Sequence, residues 1–279
     1  MILRNMYKSF IYTERIGCQL YMSVILKTER LMKTFNLTAK QQKLQNTKEK
    51  VITAVNDLSF EAYEGEVFGL LGPNGAGKTT TLRMLATLIR ADSGDAFVDG
   101  ASIRTQPELV RAKIGFLTSE LKLEDFFTPN YLFDFFAALR HIEPEVARQR
   151  KAELFAKFGV DEFAEVKVVN LSTGMKQKAS LVISIAHNPN IIIFDEPTNG
   201  LDVLTAKVVT DFLLELKNQR KSIIVSTHIF SLVEKICDRA GIIINGQMIT
   251  CDTLPNLTAE KPLEDVFFET YEQKVGAVK

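Results

Sequence analysis

The chain has 279 residues, of which 46% are hydrophobic, and this length is enough to bury a core in one large domain or two small ones. The 34 Lys and Arg residues balance 34 Asp and Glu residues, so no basic surplus points to nucleic acid as a partner. The scattered Cys18, Cys237 and Cys251 form no CxxC pair, which argues against a metal knuckle and fits a reducing compartment. No apolar run approaches the roughly 20 residues that a membrane-spanning helix needs.

Residues 1–21 combine Arg and Lys with aromatic residues but lack the apolar centre and cleavage site of a signal peptide. One interpretation is a contact with a membrane surface through these side chains. The simpler interpretation is that these residues are a leader without a specific role or result from a mis-assigned start codon, because Met22 begins a strand-like segment. We therefore treat 22–279 as a single domain.

Two β-like segments, 24–31 and 51–60, flank a polar stretch at 40–50 that predicts an exposed hairpin loop. An apolar strand is predicted at 67–71, and after a Gly-rich turn the apolar spacing at 79–88 predicts a helix.

Helix formers dominate residues 129–158 and predict a helical subdomain, at about 120–185, inserted between strands. Asn245-Gly246 is a two-residue hairpin signal, and 262–271 predicts a short closing helix. Such alternation of β and α segments predicts an α/β fold with a parallel sheet wrapped by helices. The remaining strands are predicted at 114–117, 191–194, 222–226 and 241–244, with a helix at 203–216.

The segment 72–79, GPNGAGKT, satisfies the phosphate-loop pattern GxxxxGK[ST] and lies between a predicted strand and a predicted helix. Glycines let successive backbone N–H groups face one centre, and the positive end of the helix adds to this cradle for phosphates. Lys78 would neutralise the β- and γ-phosphates, and the Thr79 hydroxyl would ligate Mg²⁺. The alternative, a Gly-rich turn without a ligand, does not explain this placement. The candidate nucleotide-binding residues here are Gly72, Pro73, Asn74, Gly75, Ala76, Gly77, Lys78, Thr79 and Thr80.

Two carboxylates, Asp195 and Glu196, end the apolar run 191–194. In isolation such a pair more often caps a strand before a turn, here at Pro197. Beside a phosphate loop, Asp195 can hold Mg²⁺ through water and Glu196 can face the attacking water. His228 follows another apolar run and is a candidate for contacting the γ-phosphate, although a histidine after a strand is more often structural.

Further along the chain, Leu171-Ser172-Thr173-Gly174-Met175 resembles the LSGGQ signature of ABC ATPases, and 196–202, EPTNGLD, looks like that family's strand end and D-loop. With the phosphate loop, this resemblance covers roughly residues 24–270. The chain is most similar to the bacterial export-type branch of the family, which includes sodium- and drug-exporting ATPase subunits. This similarity is carried by the segments LSTGMKQK and GLLGPNGAGKTTTLRML.

The resemblance implies a P-loop NTPase core with a mostly parallel sheet, an antiparallel β subdomain and the inserted helical subdomain. It also implies an ATP-binding and ATP-hydrolysing subunit, with ATP and Mg²⁺ as cofactors. Its partners would be a separate integral membrane permease and a second ATPase subunit, in a homodimer or heterodimer. The chain would then be cytoplasmic and peripheral on the inner face of the cell membrane.

In such a dimer each ATP would lie between the phosphate loop of one subunit and the signature of the other. Ser172, Thr173 and Gly174 would clamp the γ-phosphate, and Asp202 belongs to the D-loop beside them. Phe35 falls where the family places an aromatic residue that stacks on adenine. A core phenylalanine on a strand is the equally good alternative.

This sequence departs from the family pattern in two places. Thr173 and Met175 replace Gly and Gln of the signature, and the Cβ of Thr173 can hinder close approach to phosphate. The segment 114–120 aligns with the family's Q-loop, but Ser119 takes the place of the Gln. Mg²⁺ would take its remaining ligand from Ser119, from water or from Glu120.

Two other classes of protein are alternatives to a transport ATPase. A P-loop kinase or switch GTPase is argued against by the signature peptide. A non-transport ABC protein acting on DNA or ribosomes would be expected to carry tandem ATPase domains, a long coiled coil or basic arms.

Overall fold

The computed structural model describes residues 23–44, 48–118 and 123–276. The leader at 1–21 and Ser119 lie outside these residues. The strands are β1 (Val24–Asn36), β2 (Val51–Tyr63), β3 (Val67–Leu71), β4 (Ser93–Val98), β5 (Ala101–Ser102), β6 (Ile114–Thr118), β7 (Ile191–Asp195), β8 (Ser222–Thr227), β9 (Arg239–Ile244) and β10 (Gln247–Thr253). The helices are α1 (Ala39–Leu44), α2 (Lys78–Leu85), α3 (Pro107–Lys113), α4 (Pro129–Leu139), α5 (Pro144–Phe158), α6 (Thr173–Ser184), α7 (Val203–Asn218), α8 (Phe230–Ile236), α9 (Leu254–Leu257) and α10 (Leu263–Val275).

The described strands form two sheets. A four-stranded antiparallel sheet has the order β2-β1-β4-β5, and a six-stranded sheet has the order β10-β9-β3-β8-β7-β6. The pairs β9-β3, β3-β8, β8-β7 and β7-β6 are parallel, and only β10 at the edge runs antiparallel in the larger sheet. The predicted α/β fold with a mostly parallel sheet and an antiparallel β part is confirmed.

The central strands of the larger sheet are apolar because both of their faces are covered. Every residue of β3, β7 and β8 is buried, as expected for parallel strands covered by helices. In register, Leu71 of β3 lies beside Thr227 of β8, and Asp195 of β7 lies beside Ser226. The carboxyl ends of these strands therefore meet at one edge, where the polar segments that follow them must lie close together.

Among the described residues between β6 and β7 are three α-helices, α4, α5 and α6, and two short 3-10 helices between α5 and α6. Thr128 begins α4, where its side chain accepts a hydrogen bond from the N–H of Tyr131, and Pro129 follows at the first helical turn. Gly159, in the left-handed region, ends α5. Phe133 of α4 packs edge-on against Phe155 of α5, with ring centroids 5.6 Å apart. The single pattern predicted at 129–158 is thus two packed helices.

Two predicted elements differ in detail from the structure. The stretch predicted as a hairpin loop at 40–50 does connect the antiparallel strands β1 and β2, but α1 overlaps it, and there Gln42 N–H donates to the Thr38 carbonyl oxygen (2.9 Å). The helix predicted at 79–88 ends at Leu85, because Thr87 adopts the left-handed region (φ 59°). In the described part of the chain, no helix combines the length and apolar character that crossing a membrane requires.

Candidate nucleotide site

The phosphate-loop segment 72–79 joins β3 to α2 and places the amino end of α2 at the sheet edge. Gly77 has φ 100°, and a Cβ there would lie 2.2 Å from the carbonyl oxygen of Ala54, so only glycine fits. Lys78 is 5% exposed, and its ammonium donates to the carbonyl oxygens of Gly72 (2.7 Å) and Pro73 (3.2 Å). The loop is therefore folded around its own lysine.

Asp195 is a buried carboxylate at the end of β7, and hydroxyl groups surround it. Its Oδ1 accepts from Thr79 Oγ1 (3.0 Å) and Ser226 Oγ (2.5 Å), and its Oδ2 accepts from Thr118 Oγ1 (3.5 Å). The structure thus brings the hydroxyl that follows Lys78 directly to the acid at the end of β7, which is separated from β3 by β8. These hydroxyl and carboxylate oxygens are the donors that a hard cation such as Mg²⁺ prefers.

Glu196 is held between Lys78 and His228. Its Oε1 lies 3.4 Å from Lys78 Nζ, and its Oε2 lies 3.0 Å from His228 Nδ1. Its backbone adopts the left-handed region (φ 52°), and its N–H donates to the Ser226 carbonyl oxygen (3.1 Å). A non-glycine residue in this region is strained, and such strain is often kept at functional sites.

A cavity of about 400 Å³ joins the loop to the acidic pair. Phe35 lies in its wall with 38% of its surface exposed, which is not the environment of a core phenylalanine. Ile52, which pairs with Phe35 across the β1-β2 ladder, adds a second apolar side chain. The cavity is lined by Phe35, Ile52, Ala54, Pro73, Asn74, Gly75, Ala76, Gly77, Lys78, Thr79, Thr80, Asp195, Glu196 and Asn199.

The sequence prediction missed several of these contacts. Thr118 and Ser226 end apolar strands beside β7, so their positions carried a signal: polar residues at the carboxyl ends of parallel strands gather at one edge. Ile52 and Ala54 carried none, because they come from the antiparallel sheet, whose position over the loop is set by tertiary packing.

The signature residues lie outside this cavity. Ser172 begins α6, where its Oγ accepts from the N–H of Met175 (3.3 Å), and both Ser172 and Thr173 are exposed. Asp202 begins α7 and accepts from Thr205 Oγ1 (2.7 Å) and from two backbone N–H groups, and these bonds lower the pKa of Asp202. Gly174 faces this capping group, since a Cβ there would lie 3.5 Å from Thr205 Oγ1. Signature and D-loop thus adjoin each other, away from the phosphate loop of their own chain.

Comparison with known proteins decides the family. Residues 55–199 match the sequence profile described as ABC transporter. The chain belongs to the ABC transporter family. It is 37% identical to the ABC transporter ATP-binding protein NatA of Bacillus subtilis (strain 168), across 78% of this chain and 89% of that protein. It is 32% identical to the Nod factor export ATP-binding protein I of Burkholderia orbicola (strain AU 1054), across 81% of this chain and 74% of that protein.

The fold matches solved ABC ATPase structures. An ATP-binding subunit of an ABC transporter superposes with a TM-score of 0.77 at 24% identity, across 88% of this chain and 99% of that one. The dimeric cassette MJ0796 bound to ADP and Pi superposes with a TM-score of 0.71 at 24% identity, across 82% of this chain and 98% of that one. This ABC chain is an ATP-binding subunit and an ATPase, and its family implies a membrane permease and paired cassettes as partners.

Proposed function

We propose that this chain hydrolyses Mg-ATP in the cavity between residues 72–80 and the pair Asp195-Glu196, and that hydrolysis powers export through a separate permease. The observation that carries the proposal is the contact between the two motifs. Thr79 bonds Asp195, and Lys78 lies beside Glu196, although more than a hundred residues separate them in the chain.

The phosphates of ATP would take the place of Glu196 as the partner of Lys78. Backbone N–H groups of the loop and of the first turn of α2 would bind the phosphate oxygens. Thr79 and Asp195 would hold Mg²⁺, directly and through water, and the ion would supply charge neutralisation at the β- and γ-phosphates.

Glu196 would then be free to orient the attacking water. Its strained backbone and its N–H bonds to Ser226 fix the carboxylate at the sheet edge, and His228 holds the other carboxylate oxygen. We assign His228 the contact to the γ-phosphate, because its ring is 41% exposed at this edge and reaches Glu196. Loss of the γ-phosphate would change the contacts of both Glu196 and His228.

A second copy of the chain, or a related cassette, would complete the site. Ser172, Thr173 and Gly174 lie at the positive amino end of α6 but outside their own cavity, which suits a phosphate presented by another subunit. Asp202 would act at the same interface by fixing the start of α7, where the exposed Val203 and Leu204 offer apolar contact.

An aromatic groove of about 530 Å³, defined by Phe116, Phe127, Tyr131, Phe135 and Phe136, is where we place the permease. Tyr131 and Phe135 are each 49% exposed on α4, and Tyr131 stacks on Phe127 at 4.5 Å. An exposed apolar groove of this kind fits one helix of a partner. The family implies a membrane permease as that partner, and the similarity to the Nod factor export ATP-binding protein favours an exporter. Binding to the permease would hold this chain at the inner face of the membrane.

Replacement of Glu196 by Gln tests the proposed hydrolysis. Glu196→Gln should keep Mg-ATP binding and slow hydrolysis by at least about 10²-fold, because the water loses its carboxylate. Phosphate release and nucleotide affinity are measured on the purified chain, with the exposed Glu272→Gln on α10 as the control. Turnover at the wild-type rate in Glu196→Gln would refute the assignment.

A further inference from the structure

The side chains behind Phe35 form an ordered array at the end of β1. The Lys33 ammonium lies over the Phe35 ring, 5.4 Å from its centroid, within the range of a cation–π contact. Only 17% of the Lys33 side chain is exposed. A lysine on a surface strand usually extends into water, so this one is held in place.

Asp92 holds Lys33 in this position. Its Oδ1 lies 2.7 Å from Lys33 Nζ, and its Oδ2 accepts from the Thr34 N–H (2.7 Å) and from Thr34 Oγ1 (2.8 Å). The Asp92 N–H donates to the Met32 carbonyl oxygen (2.9 Å). One residue thus fixes the backbone and the side chain of the segment just before Phe35.

The strand needs this support at that point. The β1-β2 register shifts between Leu31 and Lys33 and again between Lys33 and Thr34, so the ladder is irregular immediately before Phe35. The bonds from Lys33 and Thr34 lower the pKa of Asp92 to about 2, so the carboxylate is ionised at any physiological pH.

We propose that Lys33 and Asp92 are positioning residues for the nucleotide base: Asp92 fixes Lys33 against one face of Phe35, and the other face is presented to an adenine in the cavity. The inference rests on the proposed function. Phe35 lines the cavity whereas Lys33 is not among its lining residues, so the ring would stand between the ammonium and a base bound there. The cation would occupy one face and limit Phe35 to stacking with a single base.

The experiment separates binding of the base from binding of the phosphates. Affinities for Mg-ATP and for Mg-tripolyphosphate, which has no base, are measured by calorimetry on the full chain, together with kcat, KM and Tm. The variants are Lys33→Met, Lys33→Arg, Asp92→Asn and Phe35→Ala. The control is Lys113→Met, which breaks an ion pair of similar length with Asp99 (2.6 Å) away from the cavity.

Lys33→Met and Asp92→Asn should weaken Mg-ATP binding and raise KM about two- to fivefold, with kcat and tripolyphosphate affinity unchanged. Phe35→Ala should weaken Mg-ATP binding by about fivefold or more. Lys33→Arg should restore the wild-type affinity. In the Phe35→Ala background, Lys33→Met should have no further effect, because Lys33 acts through the ring.

Unchanged ATP affinity in Lys33→Met would overturn the proposal. So would an equal loss of tripolyphosphate affinity, which would mark a general structural role, or an undiminished effect in the Phe35→Ala background, which would mark direct contact with ATP. Failure of the proposed function would look different, since the wild-type chain would then bind neither ligand.

Discussion

At the scale of single residues, Glu66 is a buried carboxyl at the opposite end of β3 from the phosphate loop. It is 3% exposed, and its Oε1 accepts from the Tyr63 N–H (2.8 Å) and from Arg239 Nη1 (3.2 Å). Burial raises the pKa of Glu66 from 4.5 to about 7, and these two partners only partly offset it. The folded chain therefore binds a proton more tightly than the unfolded chain at this position.

The consequence is a dependence of stability on pH. Between pH 4.5 and 7 the folded state holds more protons at Glu66, so the contribution of this group to the free energy of unfolding falls as pH rises. Relative to Glu66→Gln, the wild-type chain should lose up to about 3 kcal/mol from pH 5 to pH 8, because a tenfold difference in proton affinity between the folded and unfolded chain corresponds to about 1.4 kcal/mol. Urea unfolding measures this, with Glu272→Gln as the control. Parallel pH profiles for wild type and Glu66→Gln would contradict the explanation.

The sequence alone could identify the residues whose side chains are suited to the chemistry of the candidate site, but it could not predict the contacts between them. Lys78, Thr79, Asp195 and Glu196 stand in short motifs whose chemistry depends on residue type. The strain at Glu196 (φ 52°) and the location of Lys33 behind Phe35 arise from tertiary packing, which no local pattern encodes.

At the scale of elements, the strands that carry the site were predictable because each is a continuous apolar run with helices on both faces. β3 was predicted at its observed bounds, and β7 and β8 within one residue. The edge strand β10 was predicted only as the partner of β9 in the hairpin at Asn245-Gly246, without bounds, because every one of its residues is half-buried and its sequence, QMITCDT, lacks a clear alternation. The short α1 was missed because its residues are as typical of a polar loop as of a helix.

At this scale, substitution of an exposed aromatic residue on α4 tests whether the permease binds in the aromatic groove. Phe135→Glu places a charge in the aromatic groove and should reduce membrane association of the chain in its native cells by about tenfold or more, since burying an unpaired carboxylate is costly. ATP hydrolysis by the isolated chain should not change. Phe268→Glu, on α10, is the control because Phe268 is similarly exposed (45%) but does not line the groove. Membrane pelleting measures the effect, and equal pelleting of the two variants would refute this docking site.

At the scale of the whole molecule, the signature residues do not line the cavity, and the proposed function needs a second copy of the chain to bring the two together. Lys78→Ala damages the phosphate loop, and Thr173→Glu adds a charge that repels the γ-phosphate while suiting the first turn of α6. Each variant alone should be nearly inactive. An equimolar mixture should recover about a quarter of wild-type activity, because half of its dimers contain one intact site. A mixture as inactive as its components would contradict the head-to-tail arrangement.

The most direct test of the cavity is calorimetric titration of the purified chain with Mg-ATP. Wild type should bind one nucleotide per chain, Lys78→Ala should bind at least about tenfold more weakly through loss of a charged phosphate contact, and Lys113→Ala should match wild type. No heat of binding in the wild type, or the same affinity in Lys78→Ala, would show that triphosphate is not held at this end of β3.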